Sequence, residues 1–497
     1  MNIIPVMYNH EKTEVWQTIR IGIILGFTFF FSTLVPFLST SVAVTATLLA
    51  ADEHGNWAQK SIDWTTIDEL DLKTAARIAL ADNPTLAAAA ARIRQAVERM
   101  NQAEADYWPR LDLTASGARV WQSDNDLETN RAMARLFDPA AEVDDPEDRY
   151  HTGLVASWKV FDGFARKFAN ASARYGRDQS KAAFDDSRRL LLASVASAYF
   201  VAQLIRENVD IARADEEFNR RQLIEAKARS RMGTGSLSDE LNFKIRINDA
   251  RAVRIQAERN YEAAIYALAA LLGRQEANFP RTVKLAPLED ETKNELTKPD
   301  TKELIAYAHK NRPDIRQSEL GIRQANAQVG LARSQFYPSL NLSAGIDGAH
   351  TENLRLEEDD FSASVRLSLS FNLFSGGADR ARVKEAEAQA EELKRSLENL
   401  RITVTSEVRD SLAQLLSAQA QLRLQRINVE LVQTNRDLVD KEYGAGQASL
   451  VRLNEAQRDL VTAQSRLALA LATMRQAWFN LETDTGHILE ILADTYK

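Results

Sequence analysis

Cysteine is absent from all 497 residues. That excludes disulfides, thiolate metal sites, cysteine nucleophiles and a lipid anchor on an N-terminal cysteine. Glycine and proline are scarce, at 19 and 11 residues, so long helices can run with few interruptions. A basic stripe is missing as well. The formal net charge is −8, and nothing stands ready to neutralise phosphates, so no nucleic acid is expected as a partner. The histidines (His10, His54, His151, His309, His350 and His487) are scattered without an i,i+4 pair, so no metal site is expected. No G-x-S-x-G, Walker or Rossmann pattern occurs. The expectation is therefore a protein that is not an enzyme and carries no cofactor. What is present is 45% hydrophobic and 27% charged, a helix-rich balance too apolar for disorder.

The first fifty residues stand apart. Arg20 precedes an uncharged apolar run from Ile21 to Ala51, with small residues gathered near its end. This reads as a secretory signal peptide over residues 1–50, cleaved between Ala43 and Ala51. The run is also long enough to span a bilayer as a helix.

The remainder is written twice. Asn83-Pro84 and Arg312-Pro313 each precede a helical stretch that closes on a second proline, Pro109 or Pro338, 25 residues after the first. Proline suits a helix's opening turn, and the residue before a proline leaves the helix. Trp158-Lys159-Val160-Phe161-Asp162-Gly163 answers Phe371-Asn372-Leu373-Phe374-Ser375-Gly376 at an offset of 213. Met232-Gly233-Thr234-Gly235-Ser236-Leu237 answers Tyr443-Gly444-Ala445-Gly446, followed by Ser449-Leu450 after two inserted residues. The halves run over residues 71–279 and 301–486, joined by a charged, proline-punctuated linker at 280–300, with a tail at 487–497. Each reads helix, strand, strand, very long helix, glycine turn, helix.

Between Gly163 and Gly233, and between Gly376 and Gly444, there is no proline. A helix filling such a stretch is about 100 Å long. Val404, Val408, Ser411, Leu415, Ala418, Leu422, Gln425, Val429 and Val432 step by four and three, the spacing of a left-handed supercoil. The returning helix alternates large and small: Leu453, Ala456, Leu460, Ala463, Leu467, Ala470, Met474, Ala477 and Leu481. The first half repeats this as Ile247, Ala250, Arg254, Ala257, Tyr261, Ala264 and Leu268. Leu424, Ile427, Leu431 and Leu438 form a second stripe, which gives that helix neighbours on two sides.

Four segments alternate with period two: Leu111 to Ser116, about Thr152 to Phe161, Ser339 to Asp347, and Phe361 to Phe371. Each is about ten residues, the length of a tilted membrane strand, with aromatic residues (Trp108, Trp158, Tyr337, Phe371) near the ends. Four strands leave unpaired edges that hydrocarbon does not tolerate, and a membrane barrel needs at least eight. Three chains supply twelve, so a trimer is expected. The competing reading is a soluble sheet packed on helices, as in a coiled-coil adaptor without a barrel.

The duplicated plan, the proline at each helix-to-strand junction, the Phe-Asp-Gly and Phe-Ser-Gly strand exits and the Tyr-Gly-Ala-Gly turn together resemble TolC-like outer-membrane efflux proteins, over about residues 65–486. The resemblance implies a mainly α fold with membrane β. A duplicated strand-pair and long-helix repeat would form a trimeric 12-stranded β-barrel plus a periplasmic α-helical barrel, and residues 51–70 would be an N-terminal periplasmic segment. It implies a homotrimer in outer-membrane lipid, docked to a periplasmic adaptor (membrane fusion protein) and an inner-membrane ABC or RND transporter. The function implied is type I protein secretion or multidrug or metal efflux, with type I favoured.

The resemblance also places the turns near 232–240 and 443–455 at the tunnel's periplasmic mouth. The gating candidates are Asp239, Tyr443, Arg452 and Glu455, with Glu455 the lumen acid. Arg452 stands where the repeat mate of Asp239 falls and an acid is usual. Gly233, Gly235, Gly444 and Gly446 are expected as tip turns, and Pro109, Pro338, Gly163 and Gly376 as helix–strand junctions. The acidic loops, Asp138 to Asp148 and Glu357 to Asp360, are expected as solvated surface.

Overall fold

Two helices of equal length, 67 residues each, dominate the computed structural model, which describes residues 64, 67–233, 235–280, 282–291, 296–351 and 355–493. The expected signal peptide and its cleavage region lie outside the described residues. In chain order the main elements are β1 (Glu69–Leu70), α1 (Leu72–Asp82), α2 (Pro84–Ala105), β2 (Arg110–Val120), α3 (Asp124–Phe137), β3 (Glu147–Asp162), α4 (Ala165–Arg231) and α5 (Leu237–Leu271). They continue as β4 (Lys284–Leu285), α6 (Thr301–Asn311), α7 (Pro313–Arg333), β5 (Ser339–Thr351), β6 (Phe361–Ser370), α8 (Ala378–Gly444), α9 (Leu450–Thr485) and α10 (Ile488–Ala493).

The breaks between elements follow local chemistry. Asn83 ends α1 and caps α2, its side chain accepting from the Thr85 and Leu86 amides, with Pro84 in the first turn. Arg312 holds the equivalent place before Pro313 without capping through its side chain. Its buried guanidinium instead binds Asp314 and Glu407, each at 2.7 Å, and the Asp484 carbonyl at 2.9 Å. Each long helix starts from a left-handed residue, Phe164 at φ 70° in α4 and Gly377 at φ 89° in α8. Those residues are repeat mates at the offset of 213.

The helices form a wall four rods wide. Nearest the strands the order is α2, α4, α7, α8; toward the hairpin tips it is α5, α4, α9, α8. The long helices thus run through both halves of the wall while α2 with α5, and α7 with α9, share the other two rows. At 1.5 Å per residue each long helix is about 100 Å. The expected seams are buried. Ala470, Met474, Ala477 and Leu481 share one core with Val404, Val408, Leu415 and Leu422, Leu453 and Ala456 share another with Val439 and Tyr443, and Leu460 and Ala463 are buried as well. Burying each large side chain stabilises the wall by roughly 1.5–3 kcal/mol.

Arg254, the odd member of the first-half stripe, has a separate explanation. It bonds the buried Glu216 at 2.7 Å and Glu258 at 2.9 Å, while Arg220 and Arg251 also reach Glu216. These hydrogen bonds, that of Arg254 first, hold the Glu216 carboxyl below the usual range.

Three expectations need correction. The two inserted residues at the second tip do not exist. Helices α4 and α8 end 213 residues apart, α5 and α9 begin 213 apart, and both Gly233 and Gly446 have φ 74°. The true mates are Met232-Gly233 and Ala445-Gly446, so Gly444 is the last helical residue and not a turn residue. Second, the first strand pair is joined through a helix, α3. The offset is 229 at β2 and β5 but 213 from β3 onward, so this connection is 16 residues longer than its mate. Third, β3 starts at Glu147, earlier than the alternation suggested, because Arg119 and Asp148 pair across the β2–β3 ladder at 2.7 Å.

Candidate functional site

Two ends of the wall carry the features a duct needs: a sheet at one end and helix tips at the other. The sheet is antiparallel throughout, in the order β2-β3-β5-β6. Its register aligns Leu113 with Leu154, Leu154 with Ile346 and Ile346 with Ala363. A row further along aligns Trp158 with Leu342 and Leu342 with Leu367. One face is therefore apolar across all four strands. The other carries Asp112, Thr114, His151, Ser157, Ser343, Asp347, Ser364 and Arg366.

Both faces lie open in one chain. Every residue of β6 is exposed, with Val365 at 74% and Leu113 at 76%. Aromatic residues bound the apolar face: Tyr150 and Phe361 at one end and Trp158 at the other, with exposed Phe371 one residue past the end of β6. Ten residues separate Phe361 from Phe371, about 33 Å along a strand and about 25 Å of height at membrane-barrel tilt. Strands β2 and β6 are both edges of the sheet. A soluble sheet layer packed on helices is not what these strands form.

The junctions tie sheet to wall. Pro109 and Pro338 each stand one residue before a strand. Gly163 has φ 63°, and a Cβ there would lie 2.5 Å from the Ser334 carbonyl, so only glycine fits. Gly376 shares that φ but has open space around it. Asp162 accepts from the Arg166 side chain at 2.8 Å and from its amide at 3.1 Å, which fixes the turn into α4.

At the other end, the α4–α5 and α8–α9 tips are bonded to each other. The Tyr443 hydroxyl donates to Asp239 Oδ2 at 3.1 Å. Arg229 lies over the Tyr443 ring at 5.0 Å and donates to its carbonyl at 3.3 Å. Burial pushes the Tyr443 hydroxyl up to about 12, and the bond to Asp239 pushes the same way. The phenol therefore stays a donor throughout the working pH range. Beneath it Phe218, Phe243, Val439, Leu453 and Ala456 form a small apolar core.

Further polar bonds cross between the hairpins. Asn454 donates to Asn242 at 3.0 Å, Gln457 to Asp215 at 2.8 Å and Gln222 to Asp440 at 2.8 Å. Burial raises the Asp215 carboxyl.

Of the four candidates from sequence, the structure brings together Asp239 and Tyr443. Arg452 turns away to Glu442 on its own hairpin, at 3.1 Å. Glu455 is exposed and makes no bond among the described residues. Arg229 and the amide and carboxylate pairs were missed. Their only signal is polar residues placed where a heptad seam expects apolar ones, and that pattern does not say what they meet. Gly233 and Gly446 sit at the turns with positive φ, while Gly235 is needed because a Cβ would meet the Ser230 amide at 2.8 Å. No cluster of histidine and acidic residues able to hold a metal ion occurs among the described residues.

Comparison with known proteins agrees with this architecture. A family profile described as outer membrane efflux protein matches residues 75–274 and 304–487. Protein CyaE of Bordetella pertussis is 28% identical over 426 residues, 85% of each chain. The pyoverdine export outer membrane protein OpmQ of Pseudomonas aeruginosa is 26% identical, covering 83% of this chain and 84% of that one. The alkaline protease secretion protein AprF of the same species is 26% identical, covering 78% and 79%. Among solved structures, a membrane protein from Pseudomonas aeruginosa superposes with TM-score 0.69 at 22% identity, over 86% of this chain and 96% of that one. CusC gives 0.68 at 20%, over 86% and 95%.

Proposed function

The chain belongs to the outer membrane efflux protein family, and from that premise we propose that three copies form the exit duct of a tripartite export machine. As a member it is an outer-membrane channel protein whose helices extend through the periplasm. The finer reading is ours: a homotrimer docked to a periplasmic adaptor and an inner-membrane ABC transporter, passing polypeptides in type I secretion. The duct conducts passively, and the transporter supplies the energy.

The observation that carries the trimer is that sheet and wall end in matching open edges. On one side β6 and α8 expose Val365, Leu367, Leu424, Ile427, Leu431 and Leu438. On the other, β2 and α5 expose Leu111, Leu113, Ile245 and Val253. An unpaired strand edge in hydrocarbon leaves each backbone group unsatisfied at several kcal/mol, so the sheet must close through copies of itself. Twelve strands lie within the range of membrane barrels, and four do not. Among the described residues no catalytic constellation competes with this role, and we read the chain as no enzyme.

Type I secretion is supported by AprF, named for protease secretion. OpmQ, named for pyoverdine export, favours small-molecule efflux as the second reading. Deleting the gene in its host and comparing culture supernatants by mass spectrometry decides between them. Loss of particular secreted polypeptides, restored by the gene, is the expected result. An unchanged set of secreted proteins with raised sensitivity to drugs or metals would establish the second reading.

A further inference from the structure

Where the sheet meets the wall, the structure holds a groove of about 640 Å³ between α4, α7 and α8, all of one chain. That size suits a ligand headgroup. Phe164, Phe168 and Tyr337 line it beside three cations, Lys167, Arg333 and Lys394, and one carboxylate, Glu387. We propose that this groove binds the headgroup of an anionic phospholipid from the periplasmic leaflet of the outer membrane.

The groove opens on the lipid side. Phe161 pairs with Leu340, which belongs to the sheet's apolar face. The Phe161 ring stacks edge-on against Phe164 at 5.3 Å, and Phe164 against Tyr337 at 5.8 Å. The aromatic run therefore continues the lipid-facing surface downward into the groove. Tyr337 and Phe164 are half exposed, at 52% and 49%, as aromatic side chains at a membrane interface are.

Charge in the groove is unbalanced. Arg333 is paired with Glu387 at 2.6 Å. Lys394 lies 3.8 Å from Glu391, but Arg395 already holds that carboxylate at 2.9 Å. Lys167 is exposed and makes no ion pair among the described residues. Three cations facing one lining carboxylate, directly below an aromatic belt, suit a phosphate carried on an acyl anchor. Lysines on α4 and α8 also extend toward the strand end of their helices, because helical side chains lean toward the N-terminus.

A second observation is independent of charge. Phe164 keeps a bulky ring at φ 70°, where its repeat mate Gly377 uses glycine. A left-handed aromatic residue is a strained conformation, and such strain collects at ligand sites. Here it places the ring that forms the groove's upper lip.

The inference needs only the outer-membrane location, not the secretion reading. The test uses the full-length protein purified from membranes in non-ionic detergent. Native mass spectrometry follows titration with dioleoyl phosphatidylglycerol, dioleoyl phosphatidylcholine or inorganic phosphate. One phosphatidylglycerol per chain should bind with preference over phosphatidylcholine. Lys167→Gln and Lys394→Gln should each weaken it about fivefold, while Lys181→Gln, elsewhere on α4, should leave it unchanged. The same spectra report the oligomer, so a misassembled variant is recognised. Equal binding of both lipids, or wild-type affinity in the double lysine variant, overturns the proposal. Displacement of the lipid by millimolar inorganic phosphate identifies a free-anion site and overturns the lipid assignment.

Discussion

The two halves of the chain share one scaffold, and a few of the positions where their residues differ mark where the duct does more than stand up. The long helices match in length and in offset. Against that constancy Asp239 faces Arg452 as its mate, Phe164 faces Gly377, Tyr443 faces Ser230, Glu482 faces Ala269, and α3 has no counterpart among the described residues. A wall built of two identical hairpins would have interchangeable seams. The differences let one hairpin recognise the other: Asp239 of the first accepts from Tyr443 of the second, and the reverse bond cannot form.

The largest effect should fall where the halves agree. Leu154 and Leu367 are mates on the apolar face. Leu367→Arg is expected to cost about 2–4 kcal/mol near mid-membrane and to abolish the assembled outer-membrane form, as read by heat-modifiable migration on gels. Leu154→Arg should behave alike, and Ser364→Arg on the polar face should assemble normally. A well-assembled Leu367→Arg variant would contradict the lipid-facing assignment.

Glu482 gives the next contrast, since its mate is a buried alanine. Burial raises its carboxyl to about 7, and Glu490 adds to that. His487 lies 3.4 Å away, stacked on Tyr307, and burial pushes the imidazole down. The folded chain thus binds this proton more tightly than the unfolded chain, where the group titrates near 4.5. Its stabilising contribution is complete below that pH and is lost as pH rises toward 7, by up to about 3 kcal/mol. Thermal unfolding between pH 4.5 and 7 should show the decline, and Glu482→Gln should flatten it. An identical slope in the variant would rule out this carboxyl as the source.

At the helix tips, which we read as the duct's gated mouth, Tyr443→Phe removes a hydrogen bond to a carboxylate, expected to contribute about 1.5–3 kcal/mol. In planar bilayers the variant should open to a higher conductance or open more often, and Asp239→Asn should do the same to a smaller extent. Arg452→Ala breaks only an exposed ion pair, with the arginine side chain 57% exposed. It should shift the mouth by at most about 1 kcal/mol. An Arg452 effect exceeding that of Tyr443 would reverse the ranking and place the lock within the second hairpin.

How much of this was legible depends on whether a residue's partner lies at a fixed spacing. The seams from Leu453 to Leu481 and from Val404 to Leu422 were readable because a coiled coil's partners follow from period alone. The apolar face of β6 was readable for the same reason. Arg254 looked like a flaw in its stripe because Glu216, its partner, lies on a different helix. The contacts of Asp239 with Tyr443 and of Arg452 with Glu442 are set by tip geometry that no period encodes. The glycine alignment went wrong because Gly233-Thr234-Gly235 and Gly444-Ala445-Gly446 look alike as letters, whereas only Gly233 and Gly446 share the left-handed conformation. Helix α3 escaped notice because it is short and highly charged, with Leu127 its one buried residue.

The account stands on closure of the sheet through identical neighbours. Native mass spectrometry of the protein extracted from outer membranes measures that directly. Three chains per particle, with no folded monomer when the detergent is removed, is the predicted result. A single chain that stays folded and soluble in water, with Leu113, Val365 and Leu367 shielded from solvent, would contradict it.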